Sequence, residues 1–274
     1  VYCRPTFAAN QSLLALRDGG GENARMVTRT KRKPADRFAQ RRRGLLRFLA
    51  KQNLPAAVVT KPADVSYLTG FEGGDAELVL AEGVAAMVVG ALYLEEAQAG
   101  ADASLTVLPG AAEGYLKDLL RGRRIRRVAA QSDHLTVERW GGFDAGIGGR
   151  TLVPVVGLVD ELRIVKDAQE LTTMRKAIKA AETAFHELTG RGRRGFVGRT
   201  EHEVATELDQ RMRAAGASGP SFETIVAAGP ATSQPHYRPG SRVIERGDPV
   251  LIDWGALVKG YCSDLTRVVF TGKI

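Results

Sequence analysis

The chain has 274 residues, 44% of them hydrophobic, and a net charge of +8, which is enough for two ordinary domains with apolar cores and excludes a chain too polar to fold. No apolar run reaches the roughly 18–20 residues of a membrane span, and the opening residues lack the apolar core and cleavage site of a secretory signal, so a cytoplasmic location is expected. Two cysteines, Cys3 and Cys262, exclude a disulfide framework, and no Cys/His cluster has zinc-site spacing.

The charge is unevenly spread. Between Arg25 and Lys51 eleven basic residues stand against one acid, Asp36, and a second cluster, "RGRRIRR", runs from Arg121 to Arg127. Neither cluster carries interleaved aromatics or a helix-turn-helix or finger pattern, so both are expected to be solvated basic faces, with nucleic acid the less favoured reading.

Residues 1–35 carry a Gly triplet and a basic run without a sustained period, the pattern of a disordered tail, and Met26 offers an internal start. From Asp36 the spacing of Phe38, Leu45, Leu46 and Leu49 predicts a helix, followed by a strand at "AAVVT". The runs "AELVLA" and "AAMVVG", separated by Glu82 and Gly83, predict a hairpin, and "LTVLP", "RRVAAQ" and "TLVPVV" alternate with helical stretches. Residues 36–160 therefore read as an α/β layer domain.

A second regime, residues 161–274, starts near Leu162. Asp167 with Glu170, and later Thr200 with Glu203, form capping-box signals. The first opens a long helix whose apolar stripe is expected to be Leu171, Met174, Ile178, Phe185 and Leu188; the second opens a helix with Val204, Leu208 and Met212, ended by Gly216. Strand-like runs "FETIVAAG", "PVLIDWGAL" and "YCSDLTRVVF" follow.

The last two runs read as an antiparallel hairpin. With "LVKG" as its loop, Ala256 pairs with Tyr261 and Asp253 falls opposite Asp264. Directly opposed Cβ atoms lie roughly 4.5–5.5 Å apart, where like charges destabilise. Either one acid is protonated or a cation sits between them, and hard divalent metals prefer carboxylate oxygen. Spacing alone leaves a third reading open, an exposed hairpin whose register is off by one, with both acids solvated. Trp254 should face away from Asp253 and pack. Cys262 is expected to be a small buried hydrophobe.

The run Phe222 to Lys273 resembles the start of the metal site in the creatinase, prolidase and methionine aminopeptidase superfamily, and within it the Xaa-Pro aminopeptidases. The resemblance rests on Asp253 in "IDWG", Asp264 in "SDLTR" eleven residues later, and His236 in "PHYRPG" seventeen residues before Asp253. Upstream, "VSYLTGFEG" is similar to the creatinase-type N-terminal domain and "ELRIVKDAQELTTMRKA" to the hinge and first catalytic helix. The resemblance implies an α/β N-terminal creatinase-type domain followed by a partial α+β pita-bread catalytic domain.

It also implies a metallo-aminopeptidase that hydrolyses the bond before proline in peptides with proline second. Of two divalent ions, Mn or Co, Asp253 would chelate one and Asp264 would bridge both, while His236 would contact the substrate and the tetrahedral intermediate. A homo-oligomer is implied for the complete protein. The family completes its site with a further histidine and two glutamates downstream, whereas the chain ends at Ile274. The expectation is therefore an incomplete and inactive form, with exposed apolar faces on both helices and an open strand edge near Val268 to Phe270. His134, His186 and His202 lie in no matching motif and read as surface or helix residues. The alternative is a non-catalytic peptide- or protein-binding member of the fold. Creatine-type amidine hydrolysis is disfavoured, because those relatives do not need both aspartates.

Overall fold

Ala56, Ala57, Val58 and Val59 are all buried because the strand they form, β1 (Ala56–Val59), is covered on both faces. The computed structural model describes residues 36–273, so the expected tail over 1–35, with Cys3 and Met26, lies outside the described residues. β1 runs inside a six-stranded mixed sheet with β2 (Ala76–Ala81), β3 (Val84–Val89), β4 (Thr106–Pro109), β5 (Arg127–Gln131) and β6 (Thr151–Val155), in the order β4-β3-β2-β1-β5-β6. The expected hairpin forms, with Ala81 opposite Val84.

Ala57 and Val59 face the cluster built with α1 (Asp36–Ala50) and α2 (Pro62–Thr69), to which α3 (Leu94–Gly100) adds Ala97. Ala56 and Val58 face α4 (Glu113–Leu119) and α5 (Val137–Gly146), through Leu116 and Phe143. The period-2 alternation of the strand thus feeds two apolar layers.

The expected solvated face on α1 forms only in part, at the exposed Arg43 and Arg47. Arg41 and Arg42 are buried: Arg42 donates to the Leu68 carbonyl at 2.6 Å and the Ser104 hydroxyl at 2.6 Å, beside Asp102 at 3.5 Å. A buried guanidinium requires such partners. In the second cluster Arg121, Arg123, Arg124 and Arg126 are exposed, as expected.

After α6 (Asp160–Ile164) come α7 (Ala168–Thr189) and α8 (Glu201–Ala214), each opened by its predicted capping box. The expected stripe on α7 needs correction. Its buried face is Ala177, Ala180, Ala181, Ala184 and Leu188, whereas Leu171 and Ile178 are exposed. Small residues let α7 sit close to the strands, and the indole of Trp254 fills the gap. It stacks on Phe185 at 4.5 Å between centroids and donates Nε1–H to the Ala181 carbonyl at 3.0 Å. Val204, Leu208 and Met212 of α8 are fully buried in the same cluster, so the expected exposure of both helix faces does not hold for α8.

The remaining strands are β7 (Gly219–Pro220), β8 (Ile225–Ala228), β9 (Pro249–Trp254), β10 (Ala256–Val258), β11 (Tyr261–Cys262) and β12 (Leu265–Phe270). They form two antiparallel sheets, β12-β9-β8 and β11-β10-β7. "PVLIDWGAL" is therefore two strands, parted at Gly255. β12 is an edge strand with Val268 and Phe270 about half exposed, at 49% and 50%. This matches the expected open edge.

Two carboxylates that hold this fold together make it acid-sensitive. Burial opposes ionisation of Asp102, but the hydroxyl and amide of Ser104 and the charge of Arg42 overcome it and hold the pKa below the ordinary value. Burial likewise opposes Asp167, and the amides of Glu170 and Gln169 with Arg41 depress it. A depressed folded pKa adds stability above the unfolded value that is lost as pH falls through the folded one. Glu77, raised chiefly by burial, has the opposite sign. The melting temperature should be flat near neutrality and fall below about pH 4, the unfolded aspartate range. Asp102→Asn should shallow that fall; an unchanged acid limb in a pH series of thermal melts would contradict the assignment.

Candidate functional site

Asp253 lies near the end of β9, on the sheet face turned away from α7 and α8, while its neighbours Ile252 and Trp254 point into the core. Its partner across the ladder is not Asp264 but Thr266, whose hydroxyl donates to Asp253 Oδ1 at 3.0 Å. The expected register is off by two residues. The hairpin loop is Lys259-Gly260, with Val258 opposite Tyr261, instead of the four residues of "LVKG". Both loop residues have positive φ, 47° and 74°, as in the two-residue turn whose twist matches that of antiparallel strands.

A slip of two preserves the face. Asp264, one residue before β12, stands two positions from Thr266 and is exposed, so it neighbours Asp253 diagonally. In a regular ladder that diagonal is roughly 7–8 Å. The direct opposition of charges disappears, and what remains is two acids on one open face.

The chain between them is tightly fixed. Ser221 N–H donates to the Gly255 carbonyl at 2.9 Å and Ser221 Oγ to the Ser263 carbonyl at 2.8 Å. Ala256 N–H donates to Ser263 Oγ at 2.9 Å, and Ser263 Oγ donates to the Ala177 carbonyl of α7 at 3.2 Å. Ser263 thus faces α7 and Cys262 faces out. Cys262 is exposed, which overturns its expected role as a small buried hydrophobe. Strand alternation places the serine, not the thiol, against the helix.

His236 is exposed, in the loop that leaves β8, and β8 flanks β9 with Ile225 opposite Asp253. The loop is anchored by Glu201, a residue whose role the sequence pattern does not reveal. Glu201 is fully buried in the first turn of α8 and accepts three hydrogen bonds, from Ala228 N–H at 2.8 Å, Tyr237 Oη at 2.6 Å and Gly240 N–H at 3.2 Å. Its position between the capping partners Thr200 and Glu203 hides it in a local motif. Burial and hydrogen bonding to Glu201 raise the pKa of Tyr237, with the hydrogen bond the larger cause. The Tyr237 hydroxyl therefore remains a donor, one residue from His236. His134, His186 and His202 are exposed, as expected, and the His202 backbone N–H donates to the Gly240 carbonyl of the same loop at 3.1 Å.

Hard oxygens are the donor type that Mg²⁺, Mn²⁺ and similar ions take, so the aspartate pair fits a divalent cation in kind. Among the described residues no three or more His, Cys, Asp or Glu side chains converge into a full ligand group. Two carboxylates would fill only part of a shell that takes about six ligands.

The α/β layer, the second layer of helices backing an antiparallel sheet, and two acids on that sheet's open face define a two-domain architecture with a candidate cation-binding face. Residues 41–165 match the family model of the creatinase/prolidase N-terminal domain, and residues 172–274 that of metallopeptidase family M24. The peptidase YqhT of Bacillus subtilis is 31% identical over 84% of this chain and 64% of its own length. Among solved structures, an Xaa-Pro dipeptidase from Bacillus anthracis matches with a TM-score of 0.80 at 26% identity, over 86% of this chain and 66% of that one. An X-Pro aminopeptidase from Thermotoga maritima matches with a TM-score of 0.73 at 28% identity, over 80% and 63%. The chain belongs to metallopeptidase family M24, with a creatinase/prolidase N-terminal domain. It spans 64% of the length of the curated relatives it matches.

Proposed function

We infer that the protein containing this chain is a cytoplasmic metal-dependent exopeptidase that cleaves the peptide bond before proline, with residues 36–160 as its N-terminal domain and 161–274 as the first part of its peptidase domain. The observation that carries the reading is the pair Asp253 and Asp264 on the open face of the β12-β9-β8 sheet, within a chain of family M24. Proline specificity draws support from the Xaa-Pro dipeptidase and X-Pro aminopeptidase likenesses.

In this reading Asp253 and Asp264 supply carboxylate oxygens to divalent ions, Mn or Co, and further donors come from outside the described residues. Such ions, when bound, lower the pKa of water and polarise a carbonyl. Thr266 holds Asp253 Oδ1 by a hydrogen bond, which orients the second carboxylate oxygen. His236, on the loop that Glu201 anchors, contacts the substrate and offers an N–H to the oxygen that gains charge during attack.

The 274-residue chain alone should bind Mn²⁺ weakly by calorimetry, should lose that binding in Asp253→Asn and Asp264→Asn, and should show little or no turnover. The full-length protein should hydrolyse Ala-Pro peptides far faster than Ala-Ala peptides and lose activity with a chelator. Equal rates on the two peptides would overturn the proline reading. Peptide binding without hydrolysis would favour the binding protein over the enzyme.

A further inference from the structure

The strand that leads to Asp264 is held from behind by a chain of contacts that begins in the N-terminal layer. Arg41, in the middle of α1, is only 8% exposed. Its Nη2 lies 2.7 Å from Asp167 Oδ2 and 2.9 Å from Glu170 Oε2, its Nη1 donates to the Tyr67 carbonyl at 2.9 Å, and its guanidinium stacks on the Tyr67 ring at 3.8 Å. A planar fork can satisfy all these partners at once, and an ammonium cannot.

Glu170 is 3% exposed and divides its oxygens. Oε2 faces Arg41 and accepts from the Asp167 amide at 2.8 Å, closing the capping box of α7. Oε1 accepts from the Tyr261 hydroxyl at 3.0 Å. Burial, then this hydrogen bond, push the Tyr261 pKa up to about 12, so the hydroxyl stays protonated. Tyr261 opens β11, and Ser263, two residues on, is bonded to the Ala177 carbonyl of the same helix. α7 therefore grips the chain twice in the three residues before Asp264.

The cap and the packing of α7 explain why Glu170 is there. They do not explain why its free oxygen meets a tyrosine hydroxyl when a phenylalanine would fill the space. The negative charge of Glu170 is compensated by a cation that belongs to the other layer, and removing a partner from a buried pair leaves an uncompensated charge. We propose that Arg41 is a positioning residue for Asp264, acting through Glu170 and Tyr261, so that the seating of α1 on α7 sets the strand that delivers the carboxylate. The coupling stands on geometry, and its functional meaning rests on the reading of Asp264 as a metal ligand.

Hydrogen exchange of the 274-residue chain, with Mn²⁺ calorimetry beside it, tests this. Arg41→Lys and Tyr261→Phe should each speed exchange of amides 261–266 by about tenfold, the scale of a lost hydrogen bond to a charged group in a local opening. Amides 56–59 should be unchanged, and the double variant should be no faster than the faster single one. Arg42→Lys loosens a neighbouring buried arginine that does not touch Glu170, and should leave 261–266 alone. Arg41→Met combined with Glu170→Gln removes the buried charge and can still bond both partners, its oxygen accepting from the Asp167 amide and its NH2 donating to the Tyr261 oxygen, and should restore slow exchange. Unchanged rates at 261–266 in Arg41→Lys, or equal acceleration by Arg42→Lys, would overturn the proposal. So would Mn²⁺ binding that Asp264→Asn abolishes and Arg41→Lys leaves intact. If Asp264→Asn does not alter Mn²⁺ binding, the metal reading fails while the exchange result still decides the coupling.

Discussion

Gly255→Ala should separate the two carboxylates and destabilise the second layer. A Cβ at this position would lie 1.9 Å from the Ser263 carbonyl oxygen, 2.9 Å from its carbon and 2.2 Å from Ser221 Oγ. The serine hydroxyl can rotate, but the Ser263 carbonyl is backbone and must move. Its movement would break the hydrogen bond it accepts from Ser221 Oγ, strain those from the Ser221 N–H to the Gly255 carbonyl and from the Ser263 N–H to the Ala256 carbonyl, 2.9 and 3.0 Å long, and unseat Ser263 Oγ from the Ala256 amide and the Ala177 carbonyl. Overpacking a tight site costs typically about 1–3 kcal/mol, and buried amides left unpaired add to that. Gly255 lies two residues after Asp253, and Ser263 immediately precedes Asp264, so both acids are displaced together. A fall in the urea midpoint with loss of Mn²⁺ binding is the expected result. A variant as stable as the parent, with unaltered exchange at 261–266, would show that the strands have slack which the geometry denies.

Glu201→Ala should be the second large effect, and it separates anchoring from chemistry. The substitution removes one acceptor group from three donors, the Ala228 amide, the Tyr237 hydroxyl and the Gly240 amide. A loss of about 3 kcal/mol is expected, since each buried donor left unpaired costs roughly 1–3 kcal/mol and two of these three are only half-buried. That is a large share of a typical stability of about 5–15 kcal/mol. Faster exchange should be confined to residues 236–240 and the end of β8. Glu201→Gln keeps one acceptor oxygen and the shape, and should recover part of both. On the proposed exopeptidase reading, Glu201→Gln in the full-length protein should lower kcat on an Ala-Pro peptide while changing the melting temperature little, because the loop carries His236. Equal stability of the alanine variant and the parent would remove Glu201 from this role.

Much of the scaffold is legible along the chain because its signals are local. The capping boxes at Asp167/Glu170 and Thr200/Glu203 form as their residue types predict, and the apolar runs become β1 to β6. The hairpin at Glu82-Gly83 follows from two apolar runs and a glycine. By contrast, the stripe on α7 is misjudged when large side chains are counted. The helix packs through alanines, because Trp254, about seventy positions away, already fills the volume between helix and sheet. The face of Cys262 is misjudged for the same kind of reason, since the choice between it and Ser263 depends on where the Ala177 carbonyl lies.

By itself the sequence determined the capped starts of the two long helices, the apolar runs that become β1 to β6, the family, and the two aspartates that share a sheet face. Caps, alternation and short motifs are complete within a few residues, so they need no partner to be read. Only the tertiary structure decided the two-residue turn at Lys259-Gly260, which puts Thr266 instead of Asp264 opposite Asp253. It also decided the burial of Arg41 and Arg42 and the role of Glu201. Register, burial of charge and anchoring of a loop are set by groups that meet across tens to hundreds of residues, and their energies exist only once the layers have packed.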